Sequence, residues 1–256
     1  MKPSITIAVS CHMFQRRLSW MLSSLHQQNN KKSYDLIFDI AYEKNEVSDP
    51  PMEKLIDTFT KLGINIKARP YDGFERMQFR GFVRNDVLKD CKTDFLLFAD
   101  TDMVYHPDFF SELFKLLKTD EWKDCPNVMA CGRYSNDIAL ANKLIDKENY
   151  ILPLIATAWD KADNNLNKLR RLNVGAGFWQ LINMKTCPHE NYYVGEKRNR
   201  DWGWFDGKRN MQKASSDYQF RRRVKRLRMP EWFSKNQIHL NHFRDNQHGT
   251  HLTGQR

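Results

Sequence analysis

Two carboxylates separated by one residue follow a short, strongly apolar run. The run Phe95-Leu96-Leu97-Phe98-Ala99 is typical of a fully buried strand, and it stops at Asp100-Thr101-Asp102. Alternate residues of an extended segment point the same way, so Asp100 and Asp102 can converge on one hard cation. Ligands bind at the carboxyl ends of strands in an open α/β sheet, and such a cation would hold a diphosphate there. The alternative is that both acids begin a turn, which is the commoner role of an isolated Asp-x-Asp.

The residues after this acidic pair favour a binding site over a plain turn. Tyr105-His106-Pro107-Asp108 is typical of a helix start, with proline in the first turn. The apolar residues that come next recur at helical spacing and are Phe109, Phe110, Leu113, Leu116 and Leu117. A strand, paired acids and an amphipathic helix therefore follow one another.

The chain before the acidic pair alternates strand and helix patterns. β-branched and apolar runs predict strands over residues 5–9, 36–42 and 64–68. Apolar residues at helical spacing predict helices over residues 14–25 and 52–62 between them. This alternation predicts an α/β fold, with a mostly parallel, doubly wound sheet and helices on both of its faces.

Polar residues follow the first two predicted strands. Ser10 and His12 belong to the loop after the first strand, and Glu43 follows the second. A nucleotide is expected to lie over these two strands and the Asp-x-Asp strand, so these three residues are candidates for binding it.

The composition limits the partners and the location of the protein. A net charge of +10 and a pI near 9.3 favour a polyanionic partner, either nucleic acid, an anionic glycan or a membrane surface. The five cysteines lack paired spacing, which favours reduced thiols. No segment approaches the roughly 18 apolar residues of a membrane span, and no signal-peptide core follows Met1. We therefore expect a cytoplasmic protein, in the host cytoplasm if it is viral.

Aromatic residues gather in the second half, after a polar stretch over residues 135–171 that predicts an insertion of short helices and loops. These aromatic residues are Tyr192, Tyr193, Trp202, Trp204 and Phe205. Aromatic faces suit sugar rings or bases, and they suit a core equally well. Charged neighbours surround Trp202 and Trp204, which makes these two the candidates for acceptor binding.

A predicted helix begins at Ser215-Ser216-Asp217. Asp217 complements the helix dipole, and it is also the candidate catalytic base beside an acceptor hydroxyl. Six cations follow within eight residues, namely Arg221, Arg222, Arg223, Lys225, Arg226 and Arg228. A charge run is usually a solvated face, but Arg221 and Arg222 are placed to grip phosphates of an acceptor.

Taken together, these features resemble the GT-A glycosyltransferases across nearly the whole chain. The opening ITIAVSCHMFQRRLSWMLSSLHQQ is similar to the first strand and helix of the large family 2 group. The second half is similar to the animal galactosyltransferase branch in four ordered matches, which are NVGAGFWQLIN, Trp202-Gly203-Trp204, Ser216-Asp217 and His242-Phe243-Arg244-Asp245.

The resemblance implies one GT-A domain over residues 1–256. Residues 1–134 would form its nucleotide-sugar-binding half and residues 135–256 its acceptor-binding half. Enzymes of this kind carry an Arg-Asn pair near the nucleotide, on the helix where this chain has Arg84-Asn85. The alternative for this pair is a solvated helix face.

The resemblance also implies a metal site. Asp102 and His242 would be ligands, with His239 as the alternative histidine, and Asp100 and Thr101 would lie near the donor's ribose or the metal. A solvated terminus is the commoner role for such a histidine-rich tail. Carboxylates suit Mg²⁺ and Mn²⁺, and a histidine ligand favours Mn²⁺.

Asp217 would be the base in an inverting transfer, but two departures leave that role open. The segment FDGKRNMQKAS separates the Trp-Gly-Trp loop from Ser216-Asp217, so Asp206 is a rival base. The family's acidic pair is also Ser-Asp here.

The function predicted from these features is transfer of a sugar from a UDP-sugar to a hydroxylated base in DNA, such as hydroxymethylcytosine, as some phage enzymes do. The cations beside the proposed base favour DNA, and an aromatic loop can help a base leave the duplex. One alternative is transfer to a surface polysaccharide or a lipid-linked glycan. A second alternative is a nucleic-acid-binding protein without catalysis.

Overall fold

The protein is described by a computed structural model that covers residues 2–12, 14–47, 51–73, 80–125, 127–135, 179–187 and 231–240. Within these ranges no helix has both the length and the apolar character needed to cross a bilayer.

The described part of the chain contains eight strands, four α-helices and one short 3₁₀-helix, Lys31–Ser33. The strands are β1 Ser4–Cys11, β2 Asp35–Glu43, β3 Asn65–Tyr71, β4 Phe95–Ala99, β5 Met103–Tyr105, β6 Asn127–Ser135, β7 Trp179–Asn183 and β8 Glu231–Leu240. The helices are α1 Gln15–His26, α2 Met52–Lys61, α3 Arg80–Asp90 and α4 Phe109–Leu116.

All eight strands belong to one sheet, in the order β3-β2-β1-β4-β7-β6-β8-β5. The first four are parallel, because β1 pairs with both β2 and β4 and β2 pairs with β3. The pairs β4–β7, β6–β7 and β5–β8 are antiparallel, while β6 and β8 are parallel. This architecture confirms the predicted α/β sheet, which is mixed but mostly parallel.

Helices cover both faces of the sheet. Alternate residues of β1 point to opposite faces, so Ile5 and Ile7 join the larger core with α1, α2 and α4, while Ala8 packs with Val87 and Leu88 of α3. Burial of one such aliphatic side chain stabilises the folded state by about 1.5–3 kcal/mol. The apolar runs that predicted the strands are the ones that are buried here.

The end of α1 is fixed to the turn before α4. The side-chain amide of Gln28 donates to the carbonyl oxygens of Ser24 and His106, at 2.9 and 2.8 Å. The backbone N–H of Asn29 donates to the carbonyl oxygen of Pro107 at 2.7 Å. These bonds hold α1 against the segment that follows the Asp-x-Asp turn.

Several boundaries differ from the sequence expectations. β3 continues to Tyr71, because it pairs with β2 as far as Glu43. The apolar run over residues 128–131 predicts a short strand, and β6 extends beyond it over Asn127–Ser135. β5 was not expected, because three residues are too few for an alternating pattern to show.

Candidate active site

The candidate site lies at the carboxyl ends of β1, β2 and β4. The strand order is β3-β2-β1-β4, so β2 lies on one side of β1 and β4 on the other. Because the chain turns to opposite sides of the sheet at this point, a ligand-binding crevice is expected between β1 and β4. Ser10 and Glu43 lie at this edge within the last residues of β1 and β2, so Ser10 belongs to the strand and not to the predicted loop. His12 follows β1, and the turn Asp100-Thr101-Asp102 follows β4. Sequence and topology therefore bring these candidates to one edge of the sheet.

The two carboxylates of the turn have different surroundings. The Asp100 side chain is 33% exposed, whereas that of Asp102 is 3% exposed. Thr101 between them is buried. Asp100 is thus the carboxylate that the turn presents to solvent.

Asp102 is paired with a buried arginine. Nη1 of Arg17 lies 3.5 Å from Oδ2 of Asp102, and the Arg17 side chain is 1% exposed. The guanidinium also lies over the ring of Phe14, 5.4 Å from its centroid. Burial lowers the pKa of Arg17, and the charge of Asp102 offsets only part of this effect.

Arg17 was not a candidate from the sequence, although a signal was present. It stands between Phe14 and Leu18 in α1, on the stretch whose apolar spacing predicts a buried face. A cation at such a position needs a buried partner, and Asp102 supplies it from 85 residues away along the chain.

Asp100 lies beside a second arginine. Nη2 of Arg84 in α3 is 4.0 Å from Oδ1 of Asp100, and its guanidinium lies 5.4 Å from the ring centroid of Phe98. Arg84 is buried, so the solvated-face alternative does not describe it. A guanidinium here can neutralise a phosphate that approaches Asp100.

A second group of charged side chains lies after β1 and at the end of β2. Nδ1 of His12 lies 2.9 Å from Oε1 of Glu46 and 3.7 Å from Oε2 of Glu43. Gln15 at the start of α1 donates to Oε2 of Glu46 at 2.7 Å. Glu46 was not a candidate from the sequence, but it fixes the imidazole that was.

A buried aromatic layer lies behind the turn. Tyr105 in β5 packs on Phe109, with ring centroids 4.7 Å apart, and its hydroxyl lies close to the indole of Trp179. Burial raises the pKa of Tyr105 well above its usual value, and the negative charges of Asp100 and Asp102 raise it further. The phenol is therefore neutral and supports the turn by packing.

No protein-family model matches the chain, and no curated protein is similar to it in sequence. Among solved structures, it is similar to S. aureus TarS 1-349 in complex with UDP-GlcNAc, with a TM-score of 0.58 and 12% identity over 98% of this chain and 62% of that one. It is also similar to the mannosyltransferase PcManGT from Pyrobaculum calidifontis in complex with GDP-Man and Mn²⁺, with a TM-score of 0.54 and 10% identity over 96% and 59% of the two chains.

The fold is that of the GT-A glycosyltransferases. At these identities the likeness establishes the fold alone. The chain spans about three fifths of the length of both similar structures.

The sequence predicts a metal site at the Asp100-Thr101-Asp102 turn. Among the described residues, no three His, Cys, Asp or Glu side chains lie close enough together to hold a metal. The turn supplies two carboxylates of the hard type that Mn²⁺ and Mg²⁺ prefer, of which Asp100 is accessible and Asp102 is paired with Arg17. These two carboxylates fit a divalent cation when Asp102 binds the cation in place of Arg17.

The remaining candidates lie outside the described residues. They are the proposed bases Asp206 and Asp217, the metal ligand His242, and the acceptor residues Trp202, Trp204, Arg221 and Arg222. The backbone of His239 is described, and it pairs with Met103, the residue after Asp102.

Proposed function

We propose that the protein is a metal-dependent glycosyltransferase that moves a sugar from a UDP-sugar to an acceptor hydroxyl, with inversion. The observation that carries this proposal is the Asp100-Thr101-Asp102 turn at the crevice of a GT-A fold, with a guanidinium beside each carboxylate. Charges of both signs at one strand edge suit a nucleoside diphosphate, whose phosphates need cations and whose ribose and base need acceptors.

Residues at the carboxyl ends of β1 and β2 would bind the nucleoside. Glu43 can accept a hydrogen bond from a ribose hydroxyl or a base N–H, and Ser10 can donate one. Glu46 holds His12 at 2.9 Å, so the imidazole stands in a fixed orientation at this edge. Arg84 would neutralise a phosphate, because its buried guanidinium already lies beside Asp100.

Asp100, Asp102 and His242 would hold Mn²⁺ or Mg²⁺, with His239 as the alternative to His242. A bound cation would neutralise charge on the departing diphosphate. The antiparallel register of β8 on β5 supports a histidine here, because Met103 pairs with His239. His242 follows Leu240 by two residues, a reach of at most about 7 Å.

Asp217 is proposed as the base that takes the acceptor's proton, with Asp206 as its rival. Trp202, Trp204, Arg221 and Arg222 are proposed to bind the acceptor. These assignments rest on the sequence, where an acidic helix start comes between a tryptophan loop and a run of cations.

We propose hydroxylated DNA as the acceptor because the charge is unevenly divided. Residues 1–134 contain 19 Lys and Arg against 19 Asp and Glu, whereas residues 135–256 contain 22 against 12. The half assigned to the acceptor thus carries the entire positive excess, which favours a polyanion. A surface polysaccharide or lipid-linked glycan is the alternative acceptor.

The test is UDP release from a panel of UDP-sugars with Mn²⁺, with and without hydroxymethylated duplex DNA. Asp100→Asn is expected to reduce release at least about 100-fold. Asp120→Asn is the matched control, because that side chain is 97% exposed and lies in the turn after α4. DNA-stimulated release that requires Asp100 supports the whole proposal.

The other outcomes separate the alternatives. Release that ignores DNA but requires Asp100 keeps the transferase and moves the acceptor to a glycan. DNA binding with a steep salt dependence and no release from any donor would indicate a binding protein without catalysis.

A further inference from the structure

A buried cation of the protein occupies the neighbourhood where a divalent cation is proposed to bind. Arg17 comes from the first turn of α1, and its guanidinium reaches the inner side of the Asp-x-Asp turn. Its side chain is 1% exposed and that of Asp102 is 3% exposed, so water screens the pair very little. The charge of Asp102 is therefore already balanced when no cation is present.

The contact between the two groups leaves room for exchange. Nη1 and Oδ2 are 3.5 Å apart, beyond the roughly 2.7–2.9 Å of a short charge-assisted hydrogen bond. A divalent cation that shares Asp102 and Asp100 would bring two positive charges into the neighbourhood of the guanidinium. Like charges at such separation in a poorly screened site repel strongly.

We propose that Arg17 is a built-in counter-ion that competes with the divalent cation for the carboxylate of Asp102. Arg17 neutralises Asp102 in the cation-free protein, and a cation that binds the turn displaces it. This inference rests on the cation site of the proposed function, and it adds a residue and a binding order to that site.

The competition predicts that the cation enters with the nucleotide. Without a nucleotide, the cation meets the accessible carboxylate of Asp100, which lies 4.0 Å from Arg84, and must take Asp102 from Arg17. A diphosphate supplies further oxygen ligands, and its negative charge stabilises both the cation and the displaced guanidinium. Arg17 thus keeps the empty site from holding a cation tightly.

The test is direct Mn²⁺ binding, measured by electron paramagnetic resonance with and without UDP. In Arg17→Met, Mn²⁺ affinity without UDP is expected to rise at least about tenfold, because the competing charge is gone. Arg17→Lys keeps a charge and is expected to stay within about threefold of wild type. Arg69→Met is the matched control, because it breaks another buried pair, with Asp39, on the opposite face of the sheet.

A second measurement applies to the wild-type protein if Arg17→Met does not fold. The arginine Nε–H signal of Arg17, assigned by its loss in Arg17→Lys, is expected to shift when Mg²⁺ and UDP are added. Unchanged Mn²⁺ affinity in Arg17→Met, or an unchanged Arg17 signal while Mg²⁺ binds, would overturn the competition. Failure of wild type to bind Mn²⁺ even with UDP would instead overturn the proposed cation site.

Discussion

Two buried arginine–aspartate pairs lie on different faces of the same sheet. Arg69 in β3 donates from Nε to Oδ1 of Asp39 at 2.6 Å, and from Nη1 to Oδ2 of Asp90 in α3 at 2.7 Å. Arg17 approaches Asp102 at 3.5 Å without such a short bond to it. Both aspartates are almost completely buried.

The pKa values of the two arginines shift in opposite directions. Burial lowers the pKa of Arg69, but the hydrogen bonds to Asp39 and Asp90 outweigh this effect and raise it. Burial also lowers the pKa of Arg17, and there Asp102 does not make up the difference. Arg69 is thus compensated by its acidic partners, as a structural pair is, whereas at Arg17 burial outweighs the attraction of Asp102.

The largest expected effect comes from breaking the structural pair. Asp39→Ala removes the shortest partner of Arg69, whose side chain is 12% exposed, and is expected to cost about 3 kcal/mol. Urea unfolding followed by circular dichroism measures the loss. UDP release per folded molecule should stay at the wild-type level, and a proportional fall in release would mean that this pair also serves the site.

Double-mutant cycles measure how strongly each arginine is coupled to its aspartate. The coupling energy between Arg69 and Asp39 is expected to be about 2 kcal/mol, since Asp39 is buried and the two groups are bonded at 2.6 Å. The coupling between Arg17 and Asp102 should be smaller without a cation, because their charged atoms are 3.5 Å apart and no short hydrogen bond joins them. Methionine and asparagine replace the arginine and aspartate in both cycles, and unfolding in urea gives the four free energies of each.

Equal couplings would contradict the distinction. A coupling at Arg17–Asp102 as large as that at Arg69–Asp39 would assign it a purely structural role, and the proposed exchange with a cation would lose its basis.

A third prediction concerns Arg84, which is proposed to neutralise a phosphate of the UDP-sugar. Arg84→Met is expected to raise KM for the UDP-sugar about tenfold, or about 1.4 kcal/mol, because a phosphate loses its guanidinium partner. Arg84→Lys should recover part of the loss, since it keeps the charge but not the planar fork. A KM unchanged in both variants would remove Arg84 from the donor site.

The sequence was sufficient for the elements that depend on local pattern. The apolar runs of β1, β2 and β4 and the helical spacing in α1, α2 and α4 predicted the parallel half of the sheet, because burial on one face or two leaves a period in the residues. The topology then predicted that Ser10, Glu43 and Asp100 lie at one edge of the sheet.

The sequence was not sufficient for pairings between distant segments. The spacing of apolar residues does not indicate that β5 and β8 are neighbours. A prediction from that spacing also assigns a charged residue of a helix to the solvated face. Arg17 was missed for that second reason, since its partner Asp102 is defined only by how α1 packs on the turn. Asp39 and Arg69 escaped notice in the same way, within strands that pair side by side.

The smallest loss of stability is expected at Asp94, because its side chain is 30% exposed. Burial raises the pKa of Asp94, but hydrogen bonds from Ser4, through its N–H at 2.9 Å and its hydroxyl at 2.8 Å, and from Lys185 outweigh this and lower it. Because the folded state has the lower pKa, this carboxylate stabilises the protein above the unfolded-state pKa of about 3.9 and loses that contribution as the pH falls through the folded-state value.

Asp94→Asn is therefore expected to cost about 1 kcal/mol in urea unfolding at pH 7, and the difference from wild type should shrink below about pH 4. Lys185 is 77% exposed and adds little to this figure. Arg69→Met, by contrast, should remain destabilising at pH 5, because it takes the guanidinium partner away from the buried side chain of Asp39. A difference for Asp94→Asn that stayed constant down to pH 2 would show that packing around Ser4, and not the ionised carboxylate, holds this end of β1.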